Sequence, residues 1–143
     1  MEVLGFGIDL VDVRRVADLD TRHGARFSDR LFGPAEAATS DAWRCDNPVR
    51  LAVAFAVKEA VLKALGTGWG AGTALSDVEV RPSGSGVQVR LHGGACRRLA
   101  DLGGSRIVAS FSTAPGIAVA AAVVLAEVRT ARAARSAPDR AGA

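Results

Sequence analysis

Tyrosine is absent from the sequence, and five phenylalanines and two tryptophans make up only 5% of its 143 residues, so the interior has to be built from aliphatic side chains. Cysteine is nearly as scarce. Cys45 and Cys96 stand far apart, without a CxxC spacing or paired histidines, which leaves a zinc site or a disulfide framework without support. Both are read as reduced, buried or incidental thiols. A long uncharged apolar run is missing as well: the N-terminal MEVLGFGIDL has Glu2, no basic leading region and too few apolar residues for a signal peptide or a membrane span. The default expectation is a cytoplasmic protein with no membrane partner.

What is present describes a globular chain. Apolar residues at 49% and charged residues at 23% exclude wholesale disorder, and the length suits one domain with a core of its own. Residues 1–128 are assigned to that domain. The remainder, 129–143, has Ala, Arg, Pro and Gly without an apolar period and is expected to be a disordered tail. The net charge of +3 suits an acidic protein partner or a phosphate compound and requires no nucleic acid. Five arginines, Arg14, Arg15, Arg22, Arg26 and Arg30, crowd the first thirty residues.

Residues 2–11, EVLGFGIDLV, read as a buried strand, followed by a short helix with Val13, Val16, Ala17 and Leu19 on its apolar side. RFSDRLFG reads as a helical turn or two ending at Gly33, and Pro34 is placed to start the next helix, PAEAATSDAW. The main helix follows, with Asn47 as its cap, Pro48 at its first position and Gly66 where a left-handed residue is wanted. After the glycine-rich GTGWGAGT the period becomes alternating. DVEVRP and GVQVRLHG form a hairpin through SGSG, and a helix, GACRRLADLGG, leads to two strands, SRIVASFST and GIAVAAAVVLAEV. Segregated strands and helices give an α+β fold, with the long central helix packed on a largely antiparallel sheet.

That helix, AVAFAVKEAVLKALGTG at residues 52–68, is apolar enough for burial yet carries Lys58, Glu59 and Lys63. Glu59 and Lys63 share a face one turn apart, and an exposed ion pair is one account of them. The other account adds Asp9. A carboxylate that interrupts an apolar strand must cap a turn, be hydrogen-bonded or hold a metal. Two carboxylates with a lysine and a glycine loop would suit magnesium pyrophosphate, since magnesium takes one or two protein carboxylates and completes its shell with water and phosphate oxygens.

GFGIDLVDVRRV, RFSDRLFGPAE and AFAVKEAVLKALGTG, in this order, together with the closing SFST and GIAVA, resemble the small holo-acyl-carrier-protein synthases, the compact 4′-phosphopantetheinyl transferases. The resemblance covers roughly residues 3–127 and implies an α+β fold and a homotrimer with coenzyme A in clefts between subunits. It implies transfer of phosphopantetheine from coenzyme A to a serine of an apo acyl carrier protein of fatty-acid or polyketide assembly, with magnesium and release of adenosine 3′,5′-bisphosphate. By the same resemblance Asp9 and Glu59 are the metal ligands, and Glu59 and Lys63 the catalytic residues. Lys63, Gly66, Gly68, Ser112 and Thr113 fall on coenzyme-binding positions, and Arg15, Arg26 and Arg30 on the carrier-binding ones. The chain also departs from the pattern. Ala54 stands where the family usually has arginine, Thr113 where it has histidine, and Gly86–Val87 where a proline is common. These departures leave open a catalytically impaired relative that binds a carrier protein or coenzyme A.

Overall fold

The computed structural model describes residues 1–37, 47–68 and 70–128. Strand β1 (Glu2–Asp12) leads into helices α1 (Val13–His23), α2 (Ala25–Leu31) and the one-turn α3 (Pro34–Ala37). The central helix α4 (Pro48–Ala64) is followed by a 3-10 turn at Leu75–Asp77, the hairpin β2 (Val78–Ser83) and β3 (Gly86–Leu91), helix α5 (Gly93–Asp101), and strands β4 (Arg106–Ala114) and β5 (Ile117–Ala126). Two antiparallel sheets result, one ordered β1-β5-β4 and the other the β2-β3 hairpin. The rest of the helix expected after Pro34, Cys45 and the expected tail at 129–143 lie outside the described residues. Among those described, no helix is long and apolar enough to cross a membrane.

Helix α4 begins and ends as its sequence dictates. The Asn47 side chain accepts from the Val49 N–H at 3.0 Å, Pro48 fills the first turn, and Gly66 turns the chain away with φ 70°. Its alanines let it lie close to the larger sheet, whose inner face is also built from small residues. A Cβ on Gly5 would overlap the Ala64 carbonyl, and one on Gly7 the Ala60 carbonyl, so strand and helix meet backbone to backbone.

This contact corrects the reading of residues 2–11 as a strand buried throughout. Gly5, Gly7, Asp9 and Val11 alternate onto the helix side, while Phe6, Ile8 and Leu10 point the other way and are 60%, 54% and 66% exposed. The apolar run is continuous because both faces of β1 are apolar, yet within one chain only the glycine face is covered. Across the sheet, Phe6 shares its row with Val123 and Val108, and Leu10 with Val119 and Ser112. The outer face is thus an apolar surface that none of the described elements covers.

Candidate active site

Asp9 owes its position to the two glycines before it. Because Gly5 and Gly7 bring α4 against β1, the next residue on that face arrives beside the helix, and Lys63 Nζ lies 2.7 Å from Asp9 Oδ1 and 3.1 Å from the Ile8 carbonyl. The strand continues to Asp12, which is the residue that caps α1, accepting from the Arg14 N–H at 2.8 Å and the Arg15 N–H at 3.4 Å. Asp9 is therefore no cap. It sits inside the strand, 15% exposed, where a carboxylate needs a partner. Lys63 pairs with Asp9 across the strand–helix contact.

Glu59, one turn before Lys63, lines a cavity of about 1120 Å³ together with Asp9. Arg15 from α1 and Arg26 and Arg30 from α2 line the same cavity, with exposed side chains. Its apolar wall includes Phe27 and Phe55, stacked with ring centroids 6.3 Å apart. Four elements, β1, α4, α1 and α2, thus bring both predicted metal carboxylates and all three predicted carrier-binding arginines to one place. Lys63, Gly66 and Gly68 lie further along α4 and its exit loop. Ser112 and Thr113 are not in that wall within one chain: Ser112 belongs to the outer row with Leu10, and Thr113 is exposed near the end of β4. Ala54 is completely buried, so an arginine in that slot would have to open the packing around α4.

Lys58 proves to be the structural charge of the central helix. It is fully buried and donates to Glu36 Oε2 at 2.6 Å, to the Leu75 carbonyl at 3.3 Å and to the Val78 carbonyl, with the Phe32 ring 5.4 Å away. Glu36 in turn accepts from the Gly33 N–H at 3.1 Å and the Val80 N–H at 2.8 Å. One ion pair thereby joins α4, α3, the 3-10 turn and β2, and it fixes which way the adjacent Glu59 faces. Desolvation holds the Lys58 pKa below its ordinary value, against the raising effect of Glu36. Sequence reasoning overlooked Glu36. The available signal was a carboxylate three residues after Gly33, the spacing of an acid that folds back on a helix start.

A second buried carboxylate was also missed. Glu79, 1% exposed on β2, is held by Arg81 and by His92 Nε2 at 2.6 Å. Burial pushes its pKa up, but hydrogen bonds from His92 and Arg81 and their charges together bring it below the ordinary value. It braces the hairpin and is not among the residues that line the Asp9–Glu59 cavity.

The donor set at that cavity fits magnesium. Among the described residues no three His, Cys, Asp or Glu side chains gather into an all-protein metal cage. Two carboxylates from separate elements, open to a large cavity, match an ion that draws the rest of its shell from water and phosphate.

Known proteins resemble this chain in sequence and in fold. Residues 5–114 match the family model of the 4′-phosphopantetheinyl transferase superfamily. A holo-acyl-carrier-protein synthase of Methylobacterium radiotolerans is 48% identical over 70% of this chain and 74% of its own length. One of Nitratidesulfovibrio vulgaris is 42% identical over 87% and 98%. The crystal structure of the Helicobacter pylori holo-acyl-carrier-protein synthase in complex with coenzyme A superposes with TM-score 0.70 at 27% identity, covering 84% of this chain and 99% of that one. The chain belongs to the 4′-phosphopantetheinyl transferase superfamily, and within it to the holo-acyl-carrier-protein synthases.

Proposed function

We propose that this chain transfers the 4′-phosphopantetheine group of coenzyme A to a serine of an apo acyl carrier protein, in a magnesium-dependent reaction that releases adenosine 3′,5′-bisphosphate. The observation that carries this reading is the one cavity lined by Asp9 and Glu59 together with Arg15, Arg26 and Arg30. Carboxylates suit a magnesium pyrophosphate, and a basic rim suits an acidic carrier protein, which it steers into contact.

When bound, magnesium would neutralise the pyrophosphate and make its phosphorus more electrophilic. Asp9 and Glu59 would hold it. The carrier serine oxygen attacks the β-phosphorus, and its new bond forms as the bond from that phosphorus to the bridging oxygen breaks. In this reading Glu59 would receive the serine proton, since Thr113 has no group that titrates near neutrality. Lys63, half exposed beside Asp9, offers its ammonium to the negative charge that grows on the departing bisphosphate. Gly66 and Gly68, without side chains, let a coenzyme phosphate approach the backbone.

The working form in this reading is a homotrimer in the cytoplasm. A band of Val3, Phe6, Ile8, Leu10 and Val108 across the outer sheet face is the kind of exposed apolar surface that marks an interface. Covering it with a second copy would bring Ser112 and Thr113, which do not line the cavity of their own chain, toward the coenzyme of a neighbour. The test is to incubate apo carrier protein with coenzyme A, magnesium and the chain, and to weigh the carrier by mass spectrometry while light scattering reports the assembly. Addition of one phosphopantetheine by a trimer is expected. An unmodified carrier would count against transfer, and a monomer that transfers at full rate would remove the shared site.

A further inference from the structure

The exit of α4 is a poor place for an anion. Its last carbonyls form the negative pole of the helix, and Gly66 and Gly68, where the function proposed above puts a coenzyme phosphate, follow directly. Lys63 supplies one positive charge nearby, shared with the Asp9 carboxylate 2.7 Å away. A second comes from α5. This helix packs so tightly on the glycine-rich loop that a Cβ on Gly94 would overlap the Gly72 carbonyl. One turn further along α5, the half-buried Arg98 donates from Nε to the Leu65 carbonyl at 3.0 Å. A methyl placed on Gly66 would lie 3.7 Å from its Nη2. The guanidinium therefore spans the end of α4, with Nε on the helix terminus and Nη2 beside Gly66. A planar fork of donors can serve both a carbonyl and a phosphate in this way, which an ammonium cannot.

We propose that Arg98 is the phosphate-binding cation of the glycine loop: it cancels the negative pole of α4 and contacts a phosphate of coenzyme A with its terminal nitrogens. This rests on the reading of the loop as a coenzyme site, and the test separates the two. Coenzyme A, 3′-dephospho-coenzyme A and pantetheine are titrated calorimetrically into the full chain and into R98Q, with thermal unfolding of both proteins. R98Q should bind coenzyme A about ten- to a hundredfold more weakly, the effect of losing a charge-assisted hydrogen bond. Any affinity for pantetheine should be unchanged. An equal loss for both phosphorylated ligands places Arg98 on the pyrophosphate, and a loss confined to coenzyme A places it on the 3′-phosphate. A folded R98Q with wild-type affinity for coenzyme A would reduce Arg98 to a helix cap and overturn the proposal. Wild-type protein that binds no coenzyme A would overturn the parent reading as well. A second measurement needs no variant: phenylglyoxal labelling with peptide mapping should find Arg98 protected by coenzyme A and not by pantetheine. Equal labelling under both conditions would also refute the contact.

Discussion

Replacing Lys58 with methionine keeps the length and apolar stem of the side chain while deleting its ammonium, and it tests whether the buried charge of α4 is structural. The ammonium is fully enclosed and serves three acceptors, Glu36 Oε2, the Leu75 carbonyl and the Val78 carbonyl. Its removal leaves the Glu36 carboxylate without that partner and takes a donor from two carbonyls. Breaking a buried pair from one side costs about 3–5 kcal/mol. That is a large share of the roughly 5–15 kcal/mol by which domains are stable, and it corresponds to a fall in melting temperature on the order of 10–15 °C. Urea unfolding of wild type and K58M at neutral pH measures the loss. A K58M protein within about 1 kcal/mol of wild type would refute the argument.

Other perturbations reach the remaining parts of the account. Asp9→Ala and Glu59→Ala should each abolish magnesium-dependent transfer while the melting temperature shifts by only a few degrees, because Asp9 contacts a half-exposed lysine and Glu59 borders a cavity; unfolding of either variant would mark it as a packing element. Charge reversal at Arg15 or Arg26 should weaken carrier binding, leave coenzyme affinity unchanged and be mimicked by added salt, which calorimetry with each ligand decides. Glu79, whose pKa is lowered in the fold, contributes stability above its unfolded value that fades as pH falls through the folded one; Glu79→Gln should therefore melt lower at neutral pH and show a shallower acid loss than wild type. Gly7→Ala should cost about 1–3 kcal/mol or more by pushing β1 off the Ala60 carbonyl, and unchanged stability would show that the contact gives way easily.

The parts of the fold that local chemistry controls were legible in advance. Asn47, Pro48 and Gly66 delimit α4 because a cap acceptor, a fixed φ and a left-handed glycine act within a few residues of where they stand. The SGSG turn set the hairpin for the same reason. Asp9 and Glu59 were singled out as charges set in apolar surroundings, and both line one cavity. Facing was harder. An apolar strand such as β1 reads as buried, and only the backbone contact of Gly5 and Gly7 with α4 reveals which side the chain itself covers. Lys58 and Glu59 are neighbours in sequence with opposite roles, a difference that depends on Glu36 arriving from 22 residues away. Arg98 was equally hidden, since its partner is a backbone carbonyl 33 residues distant that carries no signal in the sequence.

The central claim is that Asp9 and Glu59 act together on coenzyme A in one cavity, and single-turnover transfer tests it most directly. Wild type, Asp9→Asn and Glu59→Gln are mixed with apo carrier protein, coenzyme A and a series of magnesium concentrations, and the carrier is weighed at successive times. The account predicts rapid modification by wild type that rises with magnesium, and a rate at least about a hundredfold lower for each amide variant at every magnesium concentration, the scale of losing one preorganised charged group. Folded amide variants that modify the carrier at the wild-type rate would contradict it.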